Sequence, residues 1–142
     1  MLPGHLAPLL EEIPVEFDRG LFAAVYAEAA EVVASGRTPG REPAYRLLHG
    51  HRVARLGMEL LAQPDVRAAG PGPQAALVVW LGGVAHDLFK DSLGADPPGS
   101  DHAALARDWA AERLPTLFGD GIARRVAEAC HLHNKRHLAA PV

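Results

Sequence analysis

At 142 residues the chain has the length of one ordinary domain. Its formal net charge of -3 and pI of about 6.2 leave no general electrostatic footprint for nucleic acid or an anionic membrane surface. A hydrophobic content of 49% can fill a core, and the single cysteine, Cys130, excludes an internal disulfide and fits a reducing compartment.

The opening MLPGHLAPLLEEIP has neither the basic start nor the long apolar run of a signal peptide, and residues 1–16 read as an N-terminal extension. The first helix is predicted over residues 17–34, with Phe22, Val25, Ala29 and Val32 as its buried stripe. SGRTPGREP breaks it. The second spans residues 44–62 and stops before Pro64, and DVRAAGPGPQ follows as a loop. The third spans residues 75–90. It is apolar all round, so it is expected at the centre, and its apolar run over 75–85 is too short to span a bilayer. The fourth covers residues 102–114, with Ser100 or Asp101 as N-cap, and PTLFGDG leads to the fifth, which runs from 122 to 133 or beyond. With no period-2 pattern and no repeat, the expectation is an all-α fold, a single compact domain of about five helices over residues 1–142, located in the cytoplasm.

One dipeptide stands out against this background. His86-Asp87 lies inside AALVVWLGGVAHDLFK, where burying an imidazole beside a carboxylate is costly unless something satisfies both. Successive helical residues are 100° apart, so faces can be assigned by spacing. His49, Val53, Leu56 and Leu60 share one apolar stripe of the second helix, which points His49 inward and leaves His51 solvated towards Arg55 and Glu59. His102 shares a stripe with Leu105, Ala106 and Trp109. His133 shares one with Ile122, Val126 and Ala129, with His137 nearby, while His131 lies off that stripe. Trp80, Trp109 and Cys130 read as packing residues. A single inward histidine is most often a satisfied core residue. Inward histidines on several helices, one followed by Asp, point instead to a shared metal site. Imidazole and carboxylate donors together suit Mn, Fe, Co, Ni or Zn, and suit Mg less well.

These residues resemble the HD superfamily of metal-dependent phosphohydrolases. LLHGHRVARLGMELLA is similar to the family's first-histidine helix, with His49 four residues before Val53-Ala54. GGVAHDLFK is similar to the helix that carries the HD pair, followed after two residues by Lys90. DHAALARDWAAERL and RRVAEACHLHN resemble the next two histidine helices, and the likeness covers residues 44–134. The resemblance implies a metal site built from His49, His86, Asp87, His102 and His133. The divalent ion would bind a phosphate oxygen and activate a water. Asp87 would orient that water or take its proton, and Lys90 would act beside it on the phosphate. Arg46, Lys90 and His102 are the expected substrate-binding residues, with His102 and His133 holding either a second metal or the phosphate.

The implied partner is a small phosphorylated substrate such as a nucleotide, and a homodimer is a further expectation. The family usually closes its site with a later Asp, and no acidic residue follows His133. Three readings stay open: a truncated sequence, replacement by another group such as His133, His137 or water, or a domain of the same fold that binds metal or nucleotide without turnover.

Overall fold

The computed structural model describes residues 4–35, 45–90 and 101–133. His137, the N-cap candidate Ser100 and the segments 36–44 and 91–100 lie outside the described residues. The described chain forms a 3-10 helix, Gly4–Glu12, then α1 (Arg19–Ser35), α2 (Tyr45–Leu61), α3 (Pro64–Ala68), α4 (Ala75–Ala85), α5 (His102–Arg113), α6 (Pro115–Phe118) and α7 (Asp120–Leu132), with no strand among these residues. The all-α class is as expected. There are more helices than the five expected because two segments read as loops each contain a short one, α3 and α6. Each opens on a proline, whose fixed φ suits the first turn and whose missing N–H would have no partner there. No helix among the described residues is long and apolar enough to cross a membrane.

Local signals set the helix starts. Asp18 accepts from Leu21 N at 3.0 Å and starts α1 two residues later than the periodicity alone suggests. Asp101 caps α5 by accepting from Ala103 N at 3.0 Å.

The core is assembled around α4, which packs against α2 and α7, while α5 packs on α7. Trp80, Leu81, Val84 and Ala85 of α4 meet Phe22, Val25, Tyr26 and Ala29 of α1 and Val126 and Cys130 of α7 in one apolar cluster. Trp109 is also buried. Leu6 and Ile13, from the segment read as an extension, are buried in the same cluster.

On α2 the structure overturns the face assignment. Leu56 and Leu60 are 58% and 64% exposed, whereas His51 is 2% exposed. The buried face is Leu47, Gly50, His51 and Ala54, at i, i+3, i+4 and i+7. Backbone approach decides this face, not the size of apolar side chains. A Cβ on Gly50 would stand 2.6 Å from the Val84 carbonyl oxygen, and one on Gly83 would stand 2.7 Å from Ala54 Cα. Helices this close bury their small residues, and the leucines are left on the outer face. The assignment of Ala129 to the inner stripe of α7 is likewise corrected: it is exposed, and Ala123, Ala127 and Cys130 join Ile122 and Val126 inside.

His51 is tolerated in the interior because a directional hydrogen-bond chain satisfies it. Trp80 Nε1–H donates to the Tyr26 hydroxyl at 3.0 Å, and Tyr26 donates to His51 Nδ1 at 2.7 Å. His51 Nε2–H then donates to Glu12 Oε1 at 2.7 Å, and Arg55 donates to Glu12 Oε2 at 3.0 Å. The chain ties the N-terminal 3-10 helix to α1, α2 and α4.

Burial pushes the His51 pKa below the ordinary value of 6.5, and the Glu12 carboxylate opposes this only in part. The unfolded chain therefore takes up a proton near pH 6.5 that the folded chain resists, and stability falls as pH drops through the window below that value. We expect the urea midpoint of metal-free protein to fall between pH of about 7 and about 5.5, and His51→Gln to flatten the slope. Equal wild-type midpoints at both pH values would contradict the network.

Candidate metal centre

The third predicted helix stops short of the functional pair. Residues 75–90 were expected to be continuous, but α4 ends at Ala85, and His86 through Phe89 form turns. The cause is local. In a continuing helix the Gly83 carbonyl would accept from Asp87 N, but here it accepts from His86 Nδ1–H at 2.7 Å. Beyond it the backbone tightens, with Leu88 N bonding to Ala85 O and Lys90 N to Asp87 O, each at 3.2 Å. The same device recurs at the end of α7, where His133 Nδ1–H donates to Cys130 O at 2.6 Å. Each histidine caps its helix and folds its ring back onto the carbonyl three residues before it.

This local geometry fixes the chemistry. A carbonyl can only accept, so Nδ1 carries the proton in both rings, and a neutral imidazole then presents a bare Nε2 lone pair. Both lone pairs face Asp87. His86 Nε2 stands 3.3 Å from Oδ2, and His133 Nε2 stands 3.2 Å from Oδ1. His49, midway along α2, places Nε2 3.1 Å from Oδ2, and His102, the first residue of α5, places Nε2 3.3 Å from Oδ1. His102 and His133 bring their Nε2 atoms within 3.1 Å of each other. The residues fall into two triads that share the carboxylate, His49/His86/Asp87 and Asp87/His102/His133.

Three features fit this set to a divalent ion. Asp87 Oδ1 is buried and accepts no hydrogen bond, although two imidazole nitrogens lie beside it. Lone pairs that face a carboxylate repel unless a cation or a proton lies between them. The backbone carbonyls behind His86 and His133 act as the outer partners that fix tautomer and ring orientation at metal-ligating histidines. This buried His/Asp cluster is a possible metal-binding centre.

No family model, curated protein or solved structure matches the chain.

The electrostatics agree with a ligand role. Burial pushes the Asp87 carboxyl up. Hydrogen bonds from the His133 and His86 rings, once protonated, place a proton between each Nε2 and the carboxylate where a bound cation would otherwise sit. They more than offset burial and hold the carboxyl well below the usual carboxylate range, so it stays ionised. Burial lowers the His49 pKa, with the Asp87 carboxylate opposing and the His86 and Arg46 charges adding, which favours a neutral ring. Burial, with the Asp87 charge second, pushes the Cys130 thiol up to about 12, so it is a packing residue and not a nucleophile. Cys130→Ala is expected to leave metal binding intact and to cost about 1 kcal/mol of stability from the small cavity. Loss of metal in that variant would contradict this assignment.

The remaining expected residues lie around the cluster. Arg46 is buried, with its guanidinium 5.2 Å from the Tyr45 ring centroid and its charge felt at His49. Lys90 is partly buried at the end of the turn after Asp87, and among the described residues no ion pair joins it to the cluster. His131 bonds Arg107 at 3.3 Å and lies outside both triads. Sequence reasoning missed Tyr45, whose ring lies parallel to His49 with centroids 6.4 Å apart. Its position four residues before His49 was the available signal. The centre is most open on this side, where the His49 side chain is 35% exposed against 8% for His102.

Proposed function

We propose that the chain is a divalent-metal-dependent phosphohydrolase acting on a nucleotide or a similar phosphate ester. The observation that carries this reading is the buried, ionised Asp87 with two imidazole nitrogens beside each of its oxygens. The ordered series His49, His86-Asp87, Lys90, His102, His133, similar to that of the HD superfamily, supports the choice of reaction. Imidazole-rich donors favour Fe, Co, Ni, Zn or Mn over Mg. When bound, such an ion supplies Lewis acidity to a phosphoryl oxygen and lowers the pKa of a water.

The protein's own residues do the rest. His86 and His133 are locked by their carbonyl partners, so they need little reorganisation to act as ligands. Asp87 stays anionic at neutral pH and can hold charge and orient or deprotonate the attacking water. Arg46, whose charge is felt at His49, and Lys90, three residues past Asp87, are the cations that would meet substrate phosphate in this reading.

A second reading, a domain that binds metal or nucleotide without turnover, draws on one observation. Among the described residues Asp87 is the only carboxylate in either triad, so one group must serve as ligand and as base. Phosphate release from nucleoside mono- and diphosphates by protein loaded in turn with Mn, Fe, Co, Ni and Zn separates the two. Multiple turnovers that stop on chelation are expected. Bound metal without turnover on any substrate would favour the second reading.

A further inference from the structure

The outer side of α2 carries a pattern that the metal centre does not use. Leu56 and Leu60 are 58% and 64% exposed, and no element among the described residues covers them. A lone surface leucine is ordinary. Two on successive turns, with half-buried Val53 a turn before Leu56, make a continuous apolar stripe on a helix whose other face is already packed.

The stripe has charged residues along one edge only. At 100° per residue, Val53 and Leu60 lie about 60° and 40° to one side of Leu56, and Arg52 and Glu59 about 40° and 60° to the other. Arg52 and Glu59 are exposed, and neither side chain forms an ion pair among the described residues. The face therefore has an apolar edge, a central leucine and a charged edge that carries both signs two turns apart.

Such a face is complementary to itself in one orientation. A two-fold axis perpendicular to both helices makes them antiparallel and brings like edge to like edge. Leu56 then meets Leu56, Val53 meets Leu60, and Arg52 meets Glu59, the last two contacts each occurring twice. An axis parallel to the helices would instead lay the charged edge of one copy on the apolar edge of the other. We propose that the chain associates with a second copy through antiparallel packing of α2 on α2, centred on Leu56. The leucines and Val53 supply the buried apolar area, and the two Arg52–Glu59 pairs set orientation and register. The overlap runs over residues 51–61 and stops short of His49 on the open side of the metal centre. One helix from each copy makes a small interface, so the association is reversible and depends on concentration.

Sedimentation equilibrium of the full chain over about a hundredfold range of concentration tests this, with chelator present to exclude cross-linking through metal. The average mass should rise from one chain towards two. Leu56→Glu/Leu60→Glu should weaken association by at least about thirtyfold, because it places charge where the two copies exclude water. Arg52→Glu and Glu59→Arg should each weaken it about tenfold by setting like charges face to face. Mixed in equal amounts, these two single variants should pair as tightly as wild type, because each offers the charge that the other lacks. Recovery on mixing requires both chains to be folded, so misfolding cannot imitate it. A wild-type chain that stays monomeric at every concentration, a dimer indifferent to the leucine variant, or a mixture no tighter than either variant alone would each overturn the inference.

Discussion

Asp87→Asn should abolish metal retention and lower phosphate release by on the order of 10³-fold. The carboxamide keeps the shape of the side chain but removes the one negative charge that both triads share. Without it, four neutral imidazoles must hold a divalent ion unaided. A metal's contribution to phosphoryl transfer is several kcal/mol, and each 1.36 kcal/mol is about tenfold in rate.

The metal-free protein should respond as well. The carboxylate accepts from His49 Nε2–H at 3.1 Å, and hydrogen bonds from the His133 and His86 rings hold it ionised, so its charge stabilises the metal-free fold too. Metal-free Asp87→Asn should therefore melt at a lower temperature than wild type while still folding. Wild type at free metal of about 100 times Kd should gain about 2.7 kcal/mol, and the variant nothing. A variant that still releases phosphate at the wild-type rate would remove this mechanism.

The second large effect is structural. Gly50→Ala and Gly83→Ala should each cost about 3 kcal/mol, at the upper end of ordinary overpacking. A Cβ on Gly50 would meet Val84 O at 2.6 Å and Gly83 O at 2.8 Å. One on Gly83 would meet Ala54 Cα and N, each at 2.7 Å. All four atoms are backbone, so no side chain can rotate away, and the helices must separate. α2 carries His49, and α4 leads directly into His86 and Asp87, so separation should also weaken metal binding. Gly57→Ala is the control on the same helix. Its added Cβ would meet a side-chain methyl of Val79, which has more freedom to adjust than backbone. Urea unfolding checks the ordering, and a Gly50→Ala midpoint equal to wild type would contradict the close approach of these helices.

The sequence made some features legible and hid others, for physical reasons. The all-α class, the buried tryptophans, the Asp101 cap and the inward placement of His102 follow from signals local to one helix, namely periodicity and capping. The face of α2 was not legible because Gly50, Ala54 and Gly83 set it by backbone contact, and hydrophobic periodicity weights large side chains. His51 was misplaced for a related reason. Its partners Tyr26 and Glu12 lie 25 and 39 residues away, and no local pattern reports a hydrogen bond of that range. His49 does lie beside His86 and Asp87, but the stripe used to point it inward has its leucines on the outside; it joins the cluster from the flank of the helix, partly exposed. The end of α4 depends on a histidine ring taking a carbonyl from the helix ladder, and residue type alone does not announce this.

The most direct test of the metal centre is X-ray absorption on wild-type protein loaded with Zn or Co, passed through a desalting column, and assayed for metal content. The account predicts at least one retained ion per chain, with a first shell that includes two imidazole nitrogens at about 2.0–2.1 Å beside carboxylate oxygen. Loss of all metal on desalting, or a first shell of oxygen alone, would contradict it.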